Sequence, residues 1–245
     1  MPIYKTRPNA ESYGHDIGIL LIDCRTPFIP GDVGNASTYA YPVLFRTVPD
    51  VTLERLIEQG DLTLTDKVIE TARALEDAGV TAITSDCGYM MHFQEQVAAA
   101  VKIPVMLSSL LQLPFIASLL GPDQAVGIVC ANKRRLTPEL LEKAYPAARL
   151  PVHVTGLEHC PNFRAPILDE TDTLDSDAIE AEVVGAALDL CAAHPAIGAI
   201  LLECSNLPPY AAAVQKATGR PVFDFVTMTD YVRAAGRRRA YIGNY

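Results

Sequence analysis

The sequence predicts an α/β protein built from two pseudo-symmetric, Rossmann-like lobes, each with a parallel sheet, and a working site in the cleft between them. Three observations lead there. First, short apolar runs alternate with stretches of helical spacing along the 245-residue chain, the pattern of a parallel sheet covered by helices. Second, one segment occurs twice. Residues 80–87 (VTAITSDC) match residues 197–204 (IGAILLEC) at a constant offset, 204 − 87 = 117. The same offset carries Phe93 onto Tyr210, Val97 onto Val214 and Pro104-Val105 onto Pro221-Val222. Third, Asp23, Cys87, Asn132 and Cys204 all fall at the C-terminal ends of expected strands. Open parallel sheets bind small molecules there.

The elements follow in order. Residues 17–23 form a continuous apolar run closing on an acid, the signature of a buried parallel strand. Residues 25–61 are a long connection punctuated by Pro27, Pro30-Gly31, Gly34, Pro42 and Pro49. A connection of that length reads as a lid, with an extended piece over 43–48. Residues 65–78 have helical spacing, with Val68, Ile69, Ala72 and Leu75 on one side and Gly79 as the stop. The first cysteine strand (80–85), a helix over about 91–101 and a strand over 103–107 complete the first half. The second half opens with a strand over 125–130. Thr137 then caps a helix over 138–144 with Pro138 at its first position. A strand over 152–156 follows, then an irregular acidic stretch (161–175) and a long helix (176–194). The second cysteine strand, a helix over 208–218, a strand over 221–225 and a helix over about 228–236 end the chain. The last helix is expected to pack back on the first half, giving lobes of 1–107 plus 221–245 and 108–220.

Composition narrows the function. With 49% hydrophobic and 20% charged residues the chain can bury a sizeable core. No apolar run reaches the roughly 18–20 residues of a membrane span, and residues 1–7 lead into polar sequence without the apolar core of a secretory signal. A net charge of −9 argues against nucleic acid as a partner. The basic cluster of Arg233 and Arg237-Arg238-Arg239 reads as a solvated helix end. Six cysteines without a CxxC pair argue against a disulfide framework and for a reducing cytoplasm. His159-Cys160 lacks a second pair at zinc-finger spacing, so no metal is expected.

Two thiols at matching strand ends suggest a specific chemistry. A carbon next to a carboxylate is a very weak acid. Two acid/base groups flanking it can remove a proton on one face and deliver one on the other, with no cofactor. Each thiol lies at a strand–helix junction, where backbone N–H groups favour the thiolate. The N–H groups of Gly88-Tyr89 and Ser205-Asn206 would hold the substrate carboxylate. Cys24, Cys130 and Cys191 read as small core residues, and Cys160 as a loop or core thiol. Strand alternation points Asp86 and Glu203 away from the cysteines, toward a supporting role or the lobe interface; direct catalysis is the other reading.

At these residues the chain resembles the aspartate/glutamate racemase superfamily, through Thr84-Ser85-Asp86-Cys87-Gly88 in one lobe and residues 202–210 (LECSNLPPY) in the other. The resemblance implies a racemase or epimerase, with Cys87 and Cys204 as the catalytic pair and no cofactor. It places Asp23 near the first thiol, gives the substrate carboxylate to Gly88, Ser205 and Asn206, and implies a small carboxylate, such as an acidic amino acid, as substrate; Arg25, Ser85 and Tyr89 join the expected substrate site by their positions. The resemblance also implies a homodimer. Arg25 would clamp a second carboxylate. Arg46 and Lys133 to Arg135 are weaker candidates, Ser108-Ser109 would line the cleft or form a hinge, and His92 starts a helix. The residues after each cysteine depart from the Asn-Thr and Thr-His of glutamate racemases. Residues 30–35 and 45–49 are instead similar to the algal dimethylsulfoniopropionate lyases of the same superfamily. That similarity implies β-elimination on the same two thiols, with Asp32, Tyr39 and Tyr41 available to a cationic leaving group.

Overall fold

The computed structural model of the protein describes residues 3–8 and 10–244. Its strands are β1 (Ile17–Leu21), β2 (Val43–Thr47), β3 (Ala82–Ser85), β4 (Val105–Met106), β5 (Ala125–Cys130), β6 (Val152–Gly156), β7 (Ile197–Leu202) and β8 (Val222–Phe223). They form two parallel four-stranded sheets of the same order, β2-β1-β3-β4 and β6-β5-β7-β8. The internal repeat survives in the register: Ile83 pairs with Val105, and Ile200 with Val222, the same residues 117 positions on (200 − 83 = 222 − 105).

Local rules account for most elements. The strands β5 and β7 are buried along their whole length, which is why they read as unbroken apolar runs. Helix α1 (Thr65–Ala78) buries Val68, Ala72, Leu75 and Ala78, and Gly79 closes it in the left-handed region at φ 87°. Helix α2 (Gln94–Ala100) follows a 3-10 turn over Gly88–Phe93. Thr137 accepts from the Leu140 N–H at the start of α4 (Pro138–Ala144), and Asp175 from Ala178 at the start of α6 (Ser176–Ala193). Helix α7 (Ala211–Thr218) continues a 3-10 turn over Pro208–Tyr210.

Three regions differ from the sequence reading. Residues 161–175, expected to be irregular, contain helix α5 (Pro161–Ile167). Its first N–H groups are satisfied by a residue far along the chain: Glu182 on α6 accepts from Asn162 and Phe163 at 3.0 and 2.8 Å. Helix α3 (Leu113–Leu119), with Leu113, Ile116 and Ala117 buried, occupies a stretch without an assigned element. The strand expected over 221–225 stops at Phe223. Asp224 and Thr227 form a reciprocal capping box there, so α8 (Phe225–Gly236) starts earlier than expected.

Helix α8 packs on the first sheet, where Phe225 and Met228 meet Ile17, Ile19, Ala82 and Met106. Arg233 and Arg237 are not simply solvated: both pair with the buried Asp16, at 2.8 and 3.0 Å. One continuous apolar core runs through both sheets and includes Cys87 and Cys204. Among the described residues, no helix is long and apolar enough to cross a membrane.

Candidate active site

Both cysteines sit just beyond a strand, in turns braced by hydrogen bonds from elsewhere in the molecule. In the first turn the Ser85 hydroxyl donates to Leu107 O at 2.6 Å and accepts from the Cys87 N–H at 3.4 Å. In the second, the Ser109 hydroxyl lies 3.1 Å from both Leu202 O and Glu203 O. The turns also grip each other's lobes: Ser205 Oγ donates to Asp86 O, and Tyr89 OH donates to Asn132 O at 2.8 Å. A methyl group on Gly88 would lie 1.8 Å from Glu203 Oε1. Only glycine lets the two turns come this close.

Cys87 and Cys204 line one narrow cavity. They are only 6% and 7% exposed. Little more than a single water molecule can move within the cavity. Gly88, Tyr89, Ser205 and Asn206, expected to bind substrate, line it as well. Ile22, Cys24, Thr26 and Phe28 form one wall and Ile167-Leu168 at the end of α5 another.

Other expected site residues lie elsewhere. The strand β1 ends at Leu21, and the extended chain beyond it turns its even-numbered residues inward. Asp23 and Arg25 therefore face solvent, and the Arg25 backbone N–H donates to Glu170 at 2.7 Å. Ser85 is fully buried and belongs to the scaffold of the turn. Arg46 pairs with Glu11 at 3.1 Å, Arg135 pairs with Glu58, and neither Lys133 nor Arg134 reaches the cavity. Ser108 caps a 3-10 turn over Ser109–Gln112, and His92 lies off the cavity. Tyr39 OH donates to Val33 O and Tyr41 OH to Asp230. Among the described residues, no lysine or arginine lines the cavity.

Acids do. Asp86 and Glu203 were expected to point away from the cysteines. The strands end at Ser85 and Leu202, so alternation no longer governs these two residues, and both line the cavity. Asp86 Oδ1 accepts from the Ile22 N–H at 2.9 Å, while its other oxygen and both oxygens of Glu203 lack a hydrogen-bond partner. Burial pushes Glu203 up to about 8, against a weaker pull from the nearby Ala131 N–H, and it pushes Asp86 well above the carboxylate range. Asp32, from the connection after β1, stands behind Asn206 and accepts from its Nδ2 at 2.6 Å. Burial raises Asp32 to about 7, opposed by its hydrogen bonds from Gly34 and Asn206.

These surroundings reverse the expectation that the turns lower the thiol pKa values. Burial pushes Cys87 well up, as do the charges of Asp86 and Glu203. Burial, Glu203, Asp32 and Asp86 do the same to Cys204. The N–H groups of Tyr89 and Asn206, again 117 residues apart (206 − 89), act in the opposite sense on their respective sulfurs. With the cavity empty of positive charge, both sulfurs rest as thiols. A positive charge brought in by a ligand would favour a thiolate and offset the buried acids together.

Known proteins resemble the chain at three levels. The family model described as Asp/Glu/Hydantoin racemase matches residues 40–229. Dimethylsulfoniopropionate lyase 6 of Emiliania huxleyi (strain CCMP1516) is 34% identical over 229 residues, covering 89% of this chain; the chain spans 59% of that relative's length. The dimethylsulfoniopropionate lyase of Durusdinium sp. clade D is 32% identical over 222 residues, covering 88% of this chain and 73% of the relative. Allantoin racemase from Pseudomonas fluorescens has a similar fold, with a TM-score of 0.62 at 19% identity over 89% of each chain.

Proposed function

Because this chain belongs to the Asp/Glu/hydantoin racemase family, we propose that it is a cofactor-independent lyase. In this reading it eliminates a cationic leaving group from a small carboxylate, with dimethylsulfoniopropionate as the type substrate. One observation carries the reading: two thiols share a cavity with Asp86 and Glu203, and no cationic side chain lines it. A dicarboxylate would bring a second negative charge to a cavity whose described lining offers it no cation. A substrate with a sulfonium group would instead supply the positive charge that the site lacks.

The reaction then needs only the residues present. The N–H groups of the two turns hold the substrate carboxylate, as helix and turn N-termini hold anions. One thiolate takes the proton from the carbon beside that carboxylate. The electron pair of the broken C–H bond becomes the new C=C bond, and the C–S bond breaks toward sulfur. Acrylate and neutral dimethyl sulfide leave, and the cysteine is left as a thiol that returns its proton to solvent. The 34% identity to a dimethylsulfoniopropionate lyase over 89% of the chain supports this reading. The free cysteines suit a reducing cytoplasm.

The test is incubation with dimethylsulfoniopropionate, with acrylate followed by NMR and dimethyl sulfide by gas chromatography. Equal release of both is the expected result; intact substrate after prolonged incubation sinks the reading.

A second reading, racemisation or epimerisation, is favoured by the symmetry of the pair: each sulfur has an N–H two residues on, so both faces of a carbon can find a proton-transfer group. Deuterium from heavy water at the stereocentre of a recovered amino acid or hydantoin, without elimination, would establish it instead.

A further inference from the structure

Cys87 and Cys204 occupy matching turns, yet among the described residues only Cys204 has a side-chain hydrogen-bond partner for its sulfur. Its Sγ donates to Asn206 Oδ1 at 3.4 Å. The matching residue of the first turn is Tyr89, whose hydroxyl is engaged with Asn132. A side-chain amide has an acceptor end and a donor end of almost the same shape, so a thiol alone does not decide which end it meets. Here the other lobe decides. Asn206 Nδ2 donates to Asp32 Oδ2 at 2.6 Å. Above about pH 7, where Asp32 is ionised, its carboxylate only accepts, so the amide nitrogen must face Asp32 and the amide oxygen must face the sulfur.

Asp32 is itself held firmly. It is 1% exposed. Its Oδ1 accepts from the Gly34 N–H at 2.8 Å, and Thr38 Oγ1 donates to its carbonyl at 2.6 Å. The next residue, Val33, donates its N–H to Ser205 O at 3.3 Å. The connection after β1 is thus seated directly on the turn that carries Cys204.

We propose that Asp32 is a positioning residue for Cys204: by fixing the orientation of Asn206 it keeps Cys204 as the hydrogen-donating thiol and leaves Cys87 as the sulfur that takes the substrate proton. The inference rests on the two-thiol reading above and adds a direction to it. In an elimination, Cys87 removes the proton while Cys204, its S–H held by Asn206 Oδ1, stays a protonated thiol.

The charges around Cys204 define the test. Glu203 faces it from its own turn, Asp32 from the connection after β1, and Asp86 from the end of β3; Cys87, Tyr89 and Cys130 are also within electrostatic reach. Asp32 acts on Cys204, whereas the acids acting on Cys87 are Asp86 and Glu203. Loss of the Asp32 charge and loss of the S–H acceptor both favour the Cys204 thiolate.

Initial rates of iodoacetamide labelling at each cysteine, read by peptide mass spectrometry from pH 6.5 to 9.5, test this in wild type, Asp32→Asn and Asn206→Ala. Access through one cavity is common to both sulfurs, so the Cys204:Cys87 ratio isolates thiolate content. In wild type the ratio is expected below one at pH 8. In each variant it should rise about fivefold or more, with the Cys204 profile moving to lower pH. An unchanged ratio in either folded variant, or an equal rise at both sulfurs, overturns the proposal. If Asp32→Asn fails to fold, Asn206→Ala alone decides. No substrate enters the assay, so its failure is distinct from a failure to find elimination.

Discussion

The two cysteine turns follow one backbone plan and then diverge. Each leaves a buried strand, passes an acid, presents a sulfur and offers that sulfur an N–H two residues later. After Cys87 come a glycine and a tyrosine, with the glycine admitting Glu203 from the opposite turn. After Cys204 come a serine and an asparagine; the serine grips Asp86 O and the asparagine links the sulfur to Asp32. The shared plan sets where the sulfurs sit, and the residues that differ set their protonation and the distance between the lobes. Symmetry of position thus coexists with asymmetry of role.

Removing either sulfur tests the shared part of the plan and has the largest expected effect. Cys87→Ala and Cys204→Ala should each lower kcat for the proposed elimination by about 10³-fold or more, with folding intact by circular dichroism. If one variant keeps most of the activity, the pair is not a pair.

The divergent part is probed next by Gly88→Ala. Its methyl group would meet the Glu203 carboxylate and lie 2.8 Å from the Glu203 backbone oxygen, so the turns must separate. A loss of about 1–3 kcal/mol in urea unfolding is expected, together with a rise in KM. Unaltered stability and KM would mean that the close approach is not needed.

Glu203→Gln has a subtler signature. The folded protein holds the Glu203 proton up to about pH 8, whereas an ordinary glutamate releases it near 4.5. The folded state therefore binds the extra proton, and stability falls as pH rises through that window. The variant should lose less unfolding free energy than wild type between pH 5 and 9, by on the order of a few kcal/mol in urea unfolding. Asp86 and Asp32, also raised, leave a residual slope of the same sign. Parallel curves for the two proteins would show that Glu203 does not titrate in this range.

Asp23→Ala and Arg25→Ala should do least. Both face solvent, and changes in kcat/KM within about threefold are expected, a small fraction of a catalytic loss. A large loss in either would return these residues to the site.

What could be read from the chain beforehand was what depends on nearby residues. The eight strands, α1 with Gly79, α4 with Thr137 and the repeat at offset 117 are all written in local sequence. The misses share a cause. Helix α5 is capped by Glu182 from another helix, so residues 161–175 look structureless and the apolar wall at Ile167-Leu168 stays hidden. Alternation turned Asp86 and Glu203 the wrong way because the strands end one residue before them, whereas Asp23 and Arg25, placed in the site by their position after β1, face solvent because the extended chain goes on alternating there. Asp32 was legible as an acid available to a cationic leaving group, but not as the partner of Asn206. Its bond to Asn206 spans 174 residues (206 − 32), and no local pattern announces it.

The account depends above all on two sulfurs sharing one confined space. Exhaustive iodoacetamide labelling of the folded protein, with intact and peptide mass spectrometry, tests this without a substrate. The predicted result is molecules with an adduct on Cys87 or on Cys204 but not on both, because the first adduct fills the cavity; unfolded protein should take both. Rapid, independent labelling of both cysteines in the folded protein would contradict it.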